Sequence, residues 1–223
     1  MLKIDIVSLF PNMFDGFLTE SIIKRALKKM LVEINIIDFR KYSKDPHQKV
    51  DDYPYGGGNG MVLTCQPIFD AVEDLKEKET KVILMSPSGT VYKQSQAKRF
   101  SKLNHIIIIC GHYEGFDDRI RTIVDEEISI GDYVLTGGEL PAMVLTDSIT
   151  RLINGVIKED SLITESFNNN LLDYPEYTKP QVYNEMEVPA ILLSGHHKNI
   201  EEYRKNQAII RTKSNRPDLL KEE

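Results

Sequence analysis

The sequence predicts an α/β fold: a mostly parallel sheet covered by helices, followed by a smaller C-terminal region of different character. Three observations carry this. Short runs rich in Ile and Val, at Leu2–Phe10, Val32–Phe39, Lys81–Met85 and His105–Cys110, have the length and composition of buried strands. Patterns of helical period lie between them, and strand–helix alternation is what a parallel sheet requires. The alternation stops after Gly155, where a polar stretch with no clear period begins.

Each helix has its own signal. In Thr19–Met30, residues Ile22, Ile23, Ala26, Leu27 and Met30 share one face, with Lys24, Arg25, Lys28 and Lys29 mostly on the other. Pro67–Leu75 opens with proline at a first-turn position and carries Ile68, Phe69, Ala71, Val72 and Leu75. Pro141–Ile153 also opens with proline, and Gly155 supplies a C-terminal stop. Residues 158–180 read as a long connection containing Asn168-Asn169-Asn170. Asn199–Thr212 reads as a helix, and Arg216–Leu220 starts another. The organisation expected is therefore a first domain over 1–160, a connection over 161–175 and a helical region over 176–223.

Composition bounds the function. With 223 residues, 41% hydrophobic and 28% charged, the chain has the mass and balance of a globular protein with a sizeable core. A net charge of −6 argues against a general nucleic-acid coat, but not against a local basic face. Two windows carry such an excess. Lys24–Lys49 holds eight Lys/Arg against three Asp/Glu, and His196–Arg216 holds six against two. Solvated helix faces and a phosphate-binding face both fit this pattern. Cys65 and Cys110 have no Cys-x-x-Cys spacing, so a disulfide framework is not expected and a reducing compartment is. Lys3 and Asp5 interrupt the first apolar stretch, unlike a signal peptide, and no run approaches membrane-spanning length. A cytoplasmic protein is expected.

Familiar nucleotide and hydrolase signatures are missing from the sequence. There is no Gly-x-Gly-x-x-Gly after the first strand, no Gly-x-x-x-x-Gly-Lys-Ser/Thr and no Gly-x-Ser-x-Gly, and His196-His197 lacks zinc spacing. What stands instead is a set of glycine-bounded turns: Gly111-His112-Tyr113-Glu114-Gly115, Ile130–Gly138 within Ser129–Pro141, and Ser86-Pro87-Ser88-Gly89. Each follows a strand or an apolar run, and ligands of open α/β sheets bind at the carboxyl ends of strands. Glycines let backbone groups reach a flat heterocycle, Tyr113, Tyr133 and Leu135 supply apolar walls, and Glu114 suits a cationic ligand. Any one of these loops reads first as an ordinary tight turn; three at one sheet edge read as a site equally well. A second candidate is Asp51–Met61, with four glycines at 56, 57, 58 and 60 beside Tyr53 and Tyr55. It reads as a loop that closes over a ligand or approaches a nucleic-acid backbone. A third is Arg151 with the carboxylates Glu165 and Asp173, a set that serves proton removal and charge stabilisation or forms a surface ion pair.

Taken together, these segments resemble the bacterial tRNA (guanine-N1)-methyltransferases (TrmD-type) of the SPOUT superfamily. The resemblance runs in order through Ile6–Pro11, Asp51–Met61, Ser86-Pro87, Cys110–Gly115, Ser129–Pro141, Leu171–Asp173, Tyr177-Thr178, Ser194–His197 and Arg216–Leu220. It implies a parallel sheet with a deep trefoil knot, a small helical tRNA-binding C-terminal domain, and an obligate homodimer. It implies methyl transfer from S-adenosyl-L-methionine to N1 of guanine 37 of tRNA, beside the anticodon, with no role for DNA or membrane. Carried over residue by residue, the donor pocket comprises Ser86, Pro87, Gly111, Tyr113, Glu114, Ile130, Gly131, Tyr133, Leu135, Gly137, Gly138 and Pro141. Gly57, Gly58, Asp173 and His197 fall at substrate-binding positions.

The implied chemistry needs a base, because guanine N1 carries a proton at neutral pH and its charge spreads onto O6 once that proton leaves. Arg151 aligns with the family arginine that stabilises the charge. The family's base is an aspartate before Ser-Phe; here Glu165 precedes Ser166-Phe167 and is one methylene longer. In the family this connection orders on tRNA and acts with the partner subunit's knot. Asn59 and Asn154 replace usual prolines, and Lys179 stands where arginine is common. A dependence on magnesium is also implied, and no ligand cluster in the sequence places the ion. Two competing readings are a non-catalytic RNA-binding protein of this fold and a related enzyme acting on ribosomal RNA or a ribose hydroxyl. Arg151 and Glu165 weigh against the first, and the glycine loop and C-terminal segment against the second.

Overall fold

The computed structural model describes residues 1–158, 161–162 and 165–220. It divides into two compact units, Met1–Ile157 and Lys158–Glu223. The expected connection 161–175 falls in the second unit, and its residues 163 and 164 lie outside the described residues.

The first unit is built on a five-stranded sheet. Its strands are β1 (Leu2–Ser8), β2 (Val32–Asp38), β5 (Thr80–Val91), β6 (His105–Cys110) and β7 (Glu126–Ser129), in the order β2-β1-β6-β5-β7. Every pairing is parallel. Two further strands, β3 (Asp51–Asp52) and β4 (Val62–Leu63), form an antiparallel hairpin. The helices are α1 (Asp15–Thr19), α2 (Ser21–Lys28), α3 (Cys65–Leu75), α4 (Gln94–Phe100) and α5 (Glu139–Thr150).

The isoleucine runs are explained by burial on both faces of the sheet. Ile4, Ile6, Ile83, Met85, Ile106 and Ile108 pack against Ile23 and Ala26 of α2, Phe100 of α4, and Ala142, Leu145 and Ile149 of α5. Their neighbours in sequence, Val7, Val82, Leu84, Ile107 and Ile109, pack against Ile68, Ala71 and Val72 of α3 and against Phe39. Successive side chains point to opposite faces, so a strand covered on both sides carries no polar alternation. All six residues of β6 are buried.

One polar chain crosses this core. His105 Nε2 lies 2.9 Å from Asp5 Oδ2 and His105 Nδ1 lies 2.7 Å from Thr80 Oγ1. Asn35 Nδ2 donates to Asp5 Oδ1 at 2.8 Å, and Lys3 Nζ stands 3.2 Å from Asp5. Four adjacent strands are thus joined through buried Asp5 and His105 and the partly buried groups that satisfy them.

The structure corrects several boundaries. Ser86-Pro87-Ser88-Gly89 is not a loop after a strand. It is a bulge inside β5, where the register with β7 jumps between Met85 and Thr90. Pro87 cannot donate to the ladder, and a bulge is where a strand tolerates that. Helices α3 and α5 begin two residues before Pro67 and Pro141, since any first-turn N–H lacks an intrahelical acceptor. Helix α2 begins at Ser21, two residues later than Thr19. Strand β7 and helix α4 were not expected. Glu126 and Glu127 hide β7, and their charges are met by partners: Arg99 and Lys81 on Glu126, Arg121 on Glu127.

In the second unit, β8 (Val182–Tyr183) and β9 (Met186–Glu187) form a hairpin turning through Asn184 and Glu185, both at positive φ. Helices α6 (Ala190–Leu193) and α7 (His197–Asn215) follow, and a 3-10 turn spans Pro217–Leu220. On α7, Thr212 Oγ1 donates to Ala208 O and accepts Leu172 N–H at 2.9 Å, which ties the helix to the segment before it.

Candidate active site

Strands β5, β6 and β7 are neighbours, and the glycine-bounded segments at or beyond their carboxyl ends converge on one cavity of about 290 Å³. The turn after β6 and the loop after β7 are stitched together. Gly138 N–H donates to Gly111 O at 2.8 Å, and His112 bridges Gly137 in antiparallel fashion. A Cβ on Gly138 would stand 2.7 Å from Cys110 Cα, which is backbone and cannot move aside, so this wall requires glycine.

The structure brings all twelve residues proposed for the donor pocket to this cavity. Ser86 and Pro87 come from the bulge, and Gly111, Tyr113 and Glu114 from the turn after β6. Ile130, Gly131, Tyr133, Leu135, Gly137 and Gly138 come from the loop after β7, and Pro141 from the first turn of α5. Phe116, Val134 and Thr136 also line it, as does His112, whose ring sits 4.7 Å from that of Phe10. These four carried no sequence signal beyond their place in the turns. Glu114 is the only formally charged side chain among the described residues of the lining, and there is no Lys or Arg. Such a wall suits a ligand with a flat apolar body and a cationic group better than a phosphate ester.

Two buried groups stand next to the pocket. Burial pushes the Cys110 thiol well above its ordinary range, and the nearby Glu139 carboxylate adds to this. Cys110 is therefore an inert core thiol. Glu139, the first residue of α5, accepts a hydrogen bond from Ser8 Oγ at 2.8 Å.

The glycine-rich loop adjoins the same turn. Residues 53–61 form the tip of the β3–β4 hairpin, and Tyr55 there is fully exposed. Glu114 N–H donates to Met61 O at 3.1 Å, and Leu63 N–H to Gly115 O at 2.9 Å. A Cβ on Gly60, which has φ +84°, would fall 2.5 Å from Glu114 Cγ. Gly57 and Gly58 do not line the cavity; a Cβ on Gly57 meets open space.

The remaining candidates sit elsewhere. Arg151 caps the C-terminus of α5, with its N–H bonded to Asp147 O at 3.0 Å. Glu165, Asp173 and His197 belong to the second unit. There Ser166 Oγ donates to Asp173 Oδ1 at 3.0 Å and accepts from Asp173 N–H, so the residue after Glu165 is pinned to Asp173. Arg211 stands 3.6 Å from Asp173. His197 lines a separate cavity with Tyr177, Lys179 and Arg204. No group of three or more His, Cys, Asp or Glu side chains among the described residues is arranged to hold a metal ion. No helix among them is long and apolar enough to cross a membrane.

The fold and this site define an open parallel α/β protein with a cavity walled largely by backbone at the carboxyl ends of its strands. Comparison with known proteins makes the assignment specific. A family model described as tRNA (Guanine-1)-methyltransferase TrmD matches residues 2–222, and the chain belongs to that family. A tRNA (guanine-N(1)-)-methyltransferase of Ruminiclostridium cellulolyticum is 57% identical over 98% of this chain and 96% of its own length. One from Malacoplasma penetrans is 57% identical, covering 98% and 97%, and one from Halalkalibacterium halodurans 54%, covering 98% and 91%.

Proposed function

We propose that this protein transfers a methyl group from S-adenosyl-L-methionine to N1 of guanine 37 of tRNA. The observation that carries the donor assignment is the cavity itself. Its walls are largely backbone and apolar rings, with Glu114 as the only formal charge among the described lining residues. A sulfonium donor offers a flat heterocycle and a positive charge, and both fit; a nucleoside phosphate would find no cation there. When bound, the donor supplies an electrophilic methyl group. The chain's own residues do the rest. The 86–87, 111–114 and 130–141 segments hold and orient the donor. Glu165 takes the N1 proton, and Arg151 stabilises the negative charge that spreads to O6.

The same reading includes a deep trefoil knot, which likeness to the family implies; the two loops it would bring together pack closely, Gly138 on Cys110 and Gly111 and Gly137 on His112. It includes a homodimer. Leu140 and Val144, one helical turn apart on α5, are 50% and 45% exposed, and Met13 is 46% exposed. Apolar side chains of this size gain from cover by a second copy. It also includes a tRNA-binding role for the second unit, supported by the basic excess on and beside α7, and a cytoplasmic location, where tRNA and free thiols coexist.

Purified protein, tritiated donor and two tRNA transcripts, one with guanine and one with adenine at position 37, test the assignment. Labelling of the guanine transcript alone is expected. Equal labelling of both would overturn the specificity, and labelling of neither the activity.

A further inference from the structure

Glu139 is 1% exposed, and its two carboxylate oxygens are treated differently. Oε1 accepts from Ser8 Oγ at 2.8 Å, and Ser8 Oγ in turn accepts from Phe10 N–H at 2.9 Å. Oε2 is equally buried and has no hydrogen-bond partner among the described residues. A buried carboxylate oxygen without a donor is costly, and its retention asks for a reason.

Its surroundings supply one. A Cβ built on Gly137 would stand 2.4 Å from Oε2 and 3.0 Å from His112 Nε2. Oε2 therefore abuts Gly137, and Gly137 is itself a wall of the cavity. Glu139 does not line the cavity; the Gly137 backbone stands between its Oε2 and the cavity. The titratable groups facing it are His112 from the turn and Cys110 from β6, and Ser8 faces it from β1. The N-terminal end of α5 favours a negative charge at this position.

We propose that Glu139 is a specificity-determining residue whose buried carboxylate makes the pocket prefer the cationic sulfonium donor over the neutral thioether left after methyl transfer. The proposal rests on the donor assignment above. Donor and product differ by one methyl group and one positive charge. A fixed negative charge behind the wall acts on that difference, and it does so where water cannot screen it. Backbone contacts from the glycines hold both molecules alike. Ser8 Oγ holds Oε1 in place.

The test is calorimetric titration of the full-length protein with S-adenosyl-L-methionine and, separately, S-adenosyl-L-homocysteine. Glu139→Gln preserves the shape and the Ser8 hydrogen bond and removes the charge. The affinity of the donor relative to the product is expected to fall about tenfold in E139Q. Glu139→Asp keeps the charge and is expected to keep the wild-type ratio, even if both affinities fall. Equal loss for both ligands in E139Q, which a purely structural role would give, overturns the proposal, as does an unchanged ratio. If E139Q does not fold, Glu139→Met, close in shape and without charge, takes its place with the same expected fall and the same overturning result; a ratio lost in E139D, with the charge retained, also contradicts the proposal. Failure of the wild-type protein to bind either ligand would instead overturn the donor assignment.

Discussion

Glu165 and Arg151 are the residues proposed to carry the chemistry, and each role predicts a distinct kinetic signature. Glu165→Gln keeps size and polarity but removes the base. Turnover is expected to fall about 10²–10⁴-fold while donor affinity, read by calorimetry, stays within a factor of two or so. Arg151→Ala removes a donor for developing charge and is expected to lower turnover about 10²–10³-fold, again with donor affinity retained. Gly138→Ala behaves in the opposite way. Its Cβ meets Cys110 backbone, so the two walls of the pocket must separate, and donor affinity is expected to fall at least about tenfold. The twelve pocket positions were legible because glycine, proline and tyrosine cluster after apolar runs, and because the family resemblance assigned each one. Glu139 was not legible. In sequence it stands in the glycine-rich turn before Pro141 with nothing to mark it as buried, and only the fold shows it sealed beneath Gly137.

At the scale of elements, the sheet is joined by the polar chain from Asn35 through buried Asp5 and His105 to Thr80. His105→Ala would leave the Asp5 carboxylate with one strong neighbour fewer in a dry site. A loss of about 2–3 kcal/mol in urea unfolding is expected, without loss of the donor pocket at the other end of the strands. Strand β7 is held at the sheet edge by charge as well. The Arg99 hydrogen bonds, with Lys81 behind them, keep the Glu126 carboxyl below its ordinary value of 4.5, against the opposing effect of burial. Its folded pKa is depressed, so its stabilisation is present above that ordinary value and is lost as pH falls through the lowered one. Glu126→Gln should flatten that part of the acid unfolding curve; an unchanged curve would deny Glu126 the role. Ile106–Cys110 was readable as a strand because both faces are apolar. Glu126–Ser129 was not, since an edge strand that opens on two ion-paired glutamates has no apolar run to announce it. The bulge at Ser86–Gly89 was misplaced for a related reason. Serine, proline and glycine mark a turn in sequence, whereas pairing with β7 resumes beyond them.

At the scale of the whole molecule, two compact units divide the labour proposed here. The first presents the donor pocket with the glycine-rich hairpin tied to its rim, and the second presents Glu165 and Asp173 together with the basic helix α7. The α/β class and a break, expected near residue 160, follow from periodicity and its loss. The knot does not, because rules of chain topology count against threaded chains, and only likeness to a family raises it. The central claim is the atom that receives the methyl group. Mass-spectrometric nucleoside mapping of a guanine-37 tRNA transcript, after incubation with the protein and S-adenosyl-L-methionine, tests it most directly. The account predicts 1-methylguanosine at position 37 and unmodified guanosine elsewhere; a methyl group on another guanine atom, on a ribose or at another position would contradict it.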